Sequence, residues 1–180
     1  EKVVELRHTL YTWKKQKGKD KKVQNISETL TLHRGVTIEN NQRMEGKHPA
    51  LWSPDEPNLY VLSTEVVENG KVVDKEETRI GIRHIEMSIE KGFVINGKPL
   101  RLVGSNRHME YPYVGNAISD QAQYRDMYQI RSNGFNIVRL GHYPQATAAL
   151  DACDELGLLA IEPIPGWQFF NKNPLFISLT

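Results

Sequence analysis

The hydrophobic pattern of this chain changes period once, near Ile89, and a single sheet layer does not accommodate both periods. Before that point short runs alternate apolar with polar. Val4, Leu6 and Leu10 stand among charged neighbours, and Leu30 with Leu32 and Val36 with Ile38 repeat the pattern. Leu59 to Val67, Val72 with Val73, and Thr78 to Ile82 follow. Alternation at period two with polar breaks predicts half-buried strands of an antiparallel sandwich. Asn69-Gly70 between two such runs suits a tight hairpin, whose central positions both need positive φ. Residues Lys14 to Lys22 carry seven charges around one glycine and read as a solvated hairpin tip.

After Ile89 one further hairpin is expected, from Phe93–Ile95 through the turn Asn96-Gly97 to Leu100–Val103. Helices then enter. Ser119 or Asp120 is the expected N-cap of a helix bearing Tyr124, Met127 and Ile130, with Gly134 at its end. Phe135 to Leu140 reads as a strand. Ala146, Ala149, Leu150, Cys153 and Leu156 mark a second helix face that stops at Gly157, and Leu158 to Ile161 reads as a third strand. Strands alternating with helices at roughly 30 residues per unit predict parallel strands joined by crossover helices. Asn171 to Thr180 shows no fourth strand with a clear ending. The expected organisation is therefore multi-domain, β followed by α/β, with a sandwich over residues 1–89 and a parallel segment over residues 90–180.

Charge and cysteine content bear on function class. With 23 Lys and Arg against 22 Asp and Glu, the net charge is +1, which gives no long-range attraction for nucleic acid or an anionic membrane. No run reaches the 18 or so apolar residues of a membrane span. The single cysteine, Cys153, closes no intrachain disulfide, has no second thiol for a zinc site and sits on an apolar helix face as a core residue. No nucleic-acid, membrane or metal partner is expected, and no signal segment is visible; the compartment, periplasmic, secreted or cytoplasmic, is not readable.

Three segments carry a resemblance. They are Leu51-Trp52-Ser53-Pro54-Asp55-Glu56-Pro57-Asn58-Leu59-Tyr60; Phe93-Val94-Ile95-Asn96-Gly97-Lys98-Pro99-Leu100 continuing to Gly104-Ser105-Asn106-Arg107-His108; and Asn136-Ile137-Val138-Arg139-Leu140-Gly141-His142-Tyr143-Pro144, followed by Asp151 to Gly157. In this order they resemble glycoside hydrolase family 2, best known for β-galactosidases. The resemblance implies an immunoglobulin-like antiparallel β-sandwich followed by the first three strands of a (β/α)8 TIM barrel. A complete barrel needs about 250 residues, so a piece of one is expected. The family's two catalytic glutamates lie on later strands, the acid/base after an Asn-Glu pair, and no Asn-Glu follows His142. They are expected beyond Thr180, this segment alone is expected to be inactive, and with bare sheet edges it is expected either to be poorly soluble alone or to have its missing portion in the intact protein.

By the same resemblance the parent is a retaining exo-β-glycosidase acting on terminal β-D-galactose, with β-glucuronidase or β-mannosidase as alternatives. A non-catalytic carbohydrate-binding or adhesion module is the alternative from another class. Residues after Val103, Leu140 and Ile161 would face the sugar, because barrel sites lie at the C-terminal strand ends. Arg139 resembles the arginine that keeps the nucleophile ionised. His108 and His142 resemble the histidines that contact galactosyl hydroxyls. Asn106, Arg107 and Tyr143 join the expected substrate-binding set, with loop tying as the other role open to Asn106 and Arg107. Trp167 stacks on a sugar ring or packs against the rest of the barrel. Glu162 is a rim acid outside the catalytic pair, and Trp52 is expected in the core or a corner of the sandwich. Three departures concern the sugar subsite: Met109 where the family commonly has an acid, Gly141 where it often has serine, and Pro163 in place of a frequent glutamate. Some family members bind magnesium or sodium near the acid/base glutamate, which implies such an ion for the full-length enzyme and no cofactor within this segment. A homo-oligomer is open for the full-length protein.

Overall fold

The computed structural model describes residues 1–46, 48–164 and 172–179, and these divide into two compact units. Unit 1 holds Glu1–Leu51 and Asn58–Ile82; unit 2 holds Trp52–Pro57 and Arg83–Thr180. The division thus falls at Ile82 rather than Ile89.

Among the described residues, unit 1 is built on one antiparallel sheet. Its strands are β1 (Lys2–Lys14), β2 (Gly18–Leu32), β3 (Tyr60–Glu68) and β4 (Lys71–Ile80), in the order β2-β1-β3-β4. The lysine-rich stretch is the β1–β2 hairpin, with Lys14 opposite Gly18 at its tip. The β3–β4 turn uses Asn69 at φ 50° and Gly70 at φ 76°, the left-handed pair its sequence requires. Leu10 pairs with Leu62 across β1 and β3. A cavity of about 1260 Å³ is lined by Leu10, Tyr60 and Leu62 of the sheet and by residues of the 40–49 stretch. Val36 and Ile38, expected in a strand, lie in irregular chain and stay exposed. Alternation makes a segment fit for pairing, but a strand also needs a hydrogen-bonded neighbour, and this stretch has none among the described residues.

In unit 2 a meander of β5 (Ile85–Ser88), β6 (Gly92–Ile95) and β7 (Lys98–Pro99) turns at Asn96-Gly97, at φ 53° and 77°. It leads into β8 (Gly104–Arg107), α1 (Asp120–Ser132), β9 (Ile137–Leu140), α2 (Thr147–Leu156), β10 (Leu159–Ile161) and the short α3 (Pro174–Leu179). Strands β8, β9 and β10 are parallel neighbours with β9 in the middle. This is the strand–helix–strand arrangement expected, with one shift: the first parallel strand starts at Gly104, where Leu100–Val103 was expected. Asn136 explains the shift, because its side chain accepts from the Val103 amide at 2.9 Å and donates to the Arg101 carbonyl at 2.8 Å. That satisfies the incoming backbone without a ladder. Pairing begins only at Gly104 beside Ile137, where a Cβ would stand 2.3 Å from the Ile137 carbonyl oxygen, so glycine alone allows the approach.

Helix α1 is capped by Ser119, whose side chain accepts from the Ala122 amide, and α2 ends at Gly157 with φ 77°. Met127, Val138, Leu140, Ala149, Ala152, Cys153 and Leu158 form the core between helices and sheet. Trp52 corrects its expected placement in the sandwich: it is 1% exposed, groups with unit 2, and donates its indole N–H to the Asp154 carbonyl at 2.8 Å. Among the described residues no helix is long and apolar enough to cross a membrane.

Candidate functional site

Parallel strands bring their C-terminal ends to one edge of the sheet, so side chains distant in sequence meet there. Asn106 of β8 and Ile161 of β10 both pair with Arg139 of β9, while Arg107 pairs with Leu140. Strand alternation then divides these residues between two faces. Val138 and Leu140 belong to the core shared with the helices, so Arg139, between them, lies on the opposite face and is exposed. Asn106, its register partner, shares that face and is exposed as well.

Beyond the strand ends a cluster forms. The Arg139 Nη2 donates to Nδ1 of His142 at 2.9 Å. A guanidinium has only donors, so Nδ1 is the acceptor and the proton of the neutral His142 ring sits on Nε2. The rings of His108 and His142 meet edge to face at 5.2 Å between centroids, and His108 and Tyr143 at 6.4 Å. The Tyr143 hydroxyl accepts from the Met109 amide at 3.3 Å. Gly141 lies beneath: its amide donates to the Arg107 carbonyl at 2.9 Å, and a Cβ there would stand 3.4 Å from His108 Nε2. The structure therefore brings His108, Arg139, His142 and Tyr143 together and sets Asn106 on the face of Arg139.

Arg107 is placed differently. Its side chain is 5% exposed, and Nη2 donates to Gln123 Oε1 at 2.6 Å and to Asp126 Oδ2 at 2.8 Å on α1. Nη1 donates to the Gln145 side-chain oxygen. Of the two roles open to Arg107, these are the contacts of a residue tying loop to helix. Asp126 also accepts from the Tyr111 hydroxyl, which in turn accepts from Arg125 at 2.9 Å; that bond pushes the Arg125 guanidinium above its ordinary pKa. Gln123, Asp126 and Gln145 were not singled out from the sequence. A signal existed for one of them: Gln123 lies one helical turn before the buried Met127 and so falls on the apolar stripe.

Glu162, just past β10, accepts the Gln145 backbone amide at 2.9 Å. Trp167 lies outside the described residues. Among the described residues no group of three or more His, Cys, Asp or Glu side chains is arranged to hold a metal. The ion implied for a full-length enzyme finds no ligand set among these residues.

Comparison with known proteins agrees with this architecture. Residues 3–83 match the model of the family "Glycosyl hydrolases family 2", and residues 86–173 match "Glycosyl hydrolases family 2, TIM barrel domain". A β-galactosidase of Thermoanaerobacter pseudethanolicus is 44% identical over 128 residues, 71% of this chain and 17% of that protein. A β-glucuronidase of Bacteroides fragilis is 34% identical over 140 residues, 77% of this chain and 20% of that protein. Among solved structures, the Bacteroides uniformis β-glucuronidase superposes with a TM-score of 0.84 at 30% identity, covering 98% of this chain and 21% of that one. The chain thus spans about a fifth of the length of these relatives. It belongs to glycoside hydrolase family 2, carrying the β-sandwich and the start of the TIM barrel that follows it.

Proposed function

We propose that the protein containing this chain is an exo-acting β-glycosidase that releases terminal β-D-galactose with retention of configuration, and that this segment supplies part of the sugar-binding rim. The observation that carries the reading is the meeting of His108, Arg139 and His142 at neighbouring strand ends. In a retaining glycosidase one carboxylate attacks the anomeric carbon while a second, about 5 to 5.5 Å away, first donates and then accepts a proton. The attacking group must be ionised. Arg139, always charged, favours the ionised form of a neighbouring carboxylate, and among the described residues its hydrogen bond to His142 uses a single N–H. With Nδ1 accepting from Arg139, the ring donor of a neutral His142 is Nε2–H, the kind of group that hydrogen-bonds a sugar hydroxyl oxygen. Such bonds lower the barrier to the extent that they tighten in the transition state. No Asn-Glu pair follows His142 among residues 143–180, so this segment alone is expected to catalyse nothing.

A β-glucuronidase is the second reading, favoured by the B. fragilis and B. uniformis relatives of that name. A carbohydrate-binding module on unit 1 is disfavoured. Its strand aromatics Tyr11 and Trp13 already hold cations over their rings, Lys19 at 5.0 Å and Arg79 at 5.0 Å, which obstructs stacking on a sugar.

The test is an assay of the full-length protein on 4-nitrophenyl β-D-galactoside, β-D-glucuronide and β-D-mannoside, with the anomer of the first-released sugar followed by proton NMR. Galactoside turnover with a β product is expected. Faster turnover of the glucuronide, or an α product, overturns the galactosidase or the retaining assignment respectively.

A further inference from the structure

Gln145 and Arg107 hold each other by both ends. The Gln145 amide oxygen accepts from Arg107 Nη1, and its Nε2 donates to the Arg107 carbonyl at 3.1 Å. The same carbonyl accepts the Gly141 amide, and the Gln145 backbone amide reaches Glu162. One hydrogen-bonded path therefore crosses the ends of β8, β9 and β10, and Gln123 and Asp126 fasten it to α1. None of these bonds involves the side chains of His108, Arg139 or His142. Yet Arg107 directly precedes His108, and Gly141 directly precedes His142.

We infer that Gln145 is a positioning residue: paired with Arg107, it sets the relative placement of the His108 and His142 loops before any ligand arrives. The inference rests on the reading of this rim as the sugar site. Two features argue for positioning rather than simple loop packing. Both ends of the amide are used, so only one amide orientation satisfies the contact. The bonds also join three successive strand ends at the depth where the rim side chains emerge. A rim displaced by about 1 Å loses on the order of 100-fold in rate, because reacting groups must be held near their productive geometry.

Arg107 itself is a poor probe, since removing it leaves the carboxylate of Asp126 without its buried partner and threatens folding. Gln145→Met keeps length and the backbone bond to Glu162 while deleting both side-chain bonds; Gln145→Glu keeps only the acceptor for the guanidinium. In the full-length protein, Gln145→Met is expected to lower kcat about 10- to 100-fold with a smaller change in KM, and Gln145→Glu to recover part of the loss. Hydrogen–deuterium exchange read on peptides covering residues 105–109 and 139–145 is expected to quicken in Gln145→Met, with peptides from β1 to β4 unchanged. Wild-type kcat in a folded Gln145→Met protein, or unchanged exchange in those two peptides, overturns the inference. Should Gln145→Met fail to fold, Gln145→Glu carries both measurements, and wild-type kcat and exchange there overturn it equally. If the wild-type full-length protein hydrolyses none of the three glycosides, the sugar reading falls, and the exchange measurement alone decides whether the clasp orders the rim.

Discussion

The indole of Trp52 donates at 2.8 Å to the carbonyl of Asp154, 102 residues further along the chain. The excursion Trp52–Pro57 is pinned at several more points: Asn96 donates to the Trp52 carbonyl at 3.0 Å, Arg83 covers the indole face at 4.8 Å, and Arg131 donates to the Pro54 carbonyl at 2.7 Å. Trp52→Ala is therefore expected to destabilise unit 2 by about 3 to 5 kcal/mol through the lost burial and the cavity left behind. Trp52→Phe should cost less, keeping an aromatic ring but leaving the Asp154 carbonyl without its donor. Urea unfolding of the full-length variants, followed by exchange in the α2 peptides, measures both.

Gly157 and Gly134 both follow helices with left-handed backbone, φ 77° and 86°, but only Gly157 is crowded. A Cβ there would lie 2.1 Å from the Pro54 carbonyl oxygen, whereas at Gly134 nothing lies within 4 Å. Gly134→Ala should thus cost about 1 to 2 kcal/mol, the backbone strain alone. Gly157→Ala is expected to cost clearly more, since Pro54 must also move. Thermal unfolding of the two variants side by side gives the comparison.

Burial, with the negative charge of Asp154 adding to it, pushes the Cys153 thiol from 9.0 up to about 12. The folded state retains the proton that the unfolded chain releases, so the stabilisation is full below about 9 and is lost as pH rises toward 12. A thiol of this kind is a poor nucleophile. Native protein at pH 8 should leave Cys153 unmodified by iodoacetamide, and denatured protein should be alkylated; mass spectrometry of the Cys153 peptide reads the difference.

On the sheet of unit 1, Glu77 accepts from Lys19 at 2.5 Å and from Lys75 at 2.7 Å, which holds its carboxyl below the ordinary value of 4.5. A depressed carboxyl contributes stability above its unfolded pKa and loses it as pH falls through the folded one. Wild type should therefore exceed Glu77→Gln in stability at pH 7, with the gap closing below about pH 4.5. The three groups are partly exposed to solvent, so the gap at pH 7 is small. Urea midpoints at pH 7, 5 and 3 follow it.

Removing Arg139 tests the proposed reaction most directly. In the full-length protein Arg139→Ala is expected to lower kcat about 100- to 1000-fold, the scale seen when one preorganised charge-stabilising donor is deleted. Without the guanidinium the nucleophile's pKa rises, so the acid limb of the kcat/KM profile moves to higher pH. An acid limb that stays put would detach Arg139 from the nucleophile.

Local chemistry was the legible part of this chain. Asn69-Gly70, Asn96-Gly97, Ser119 and Gly157 each act where their backbone preferences demand, because such preferences operate within a few residues. The parallel order of β8, β9 and β10 followed from the strand–helix rhythm, and the meeting of His108, Arg139 and His142 followed from that order. What escaped depended on distant partners. Val36 and Ile38 have the pattern of a strand but, among the described residues, no neighbouring strand to join. Trp52 looks like a sandwich residue until Asp154 is seen to hold it. Arg107 reads like its exposed neighbours Asn106 and His108, and only the register of β8 against β9 sends it toward the helices.

The distance in sequence between Trp52 and Asp154 also sets an order of events on the ribosome. At 5 to 20 residues per second, the carbonyl that receives the indole is polymerised about 5 to 20 s after the tryptophan. All four strands of unit 1 are complete once Ile80 has emerged, so that sheet can form while the nascent chain is still growing. Throughout that interval a large apolar ring waits without its final neighbours.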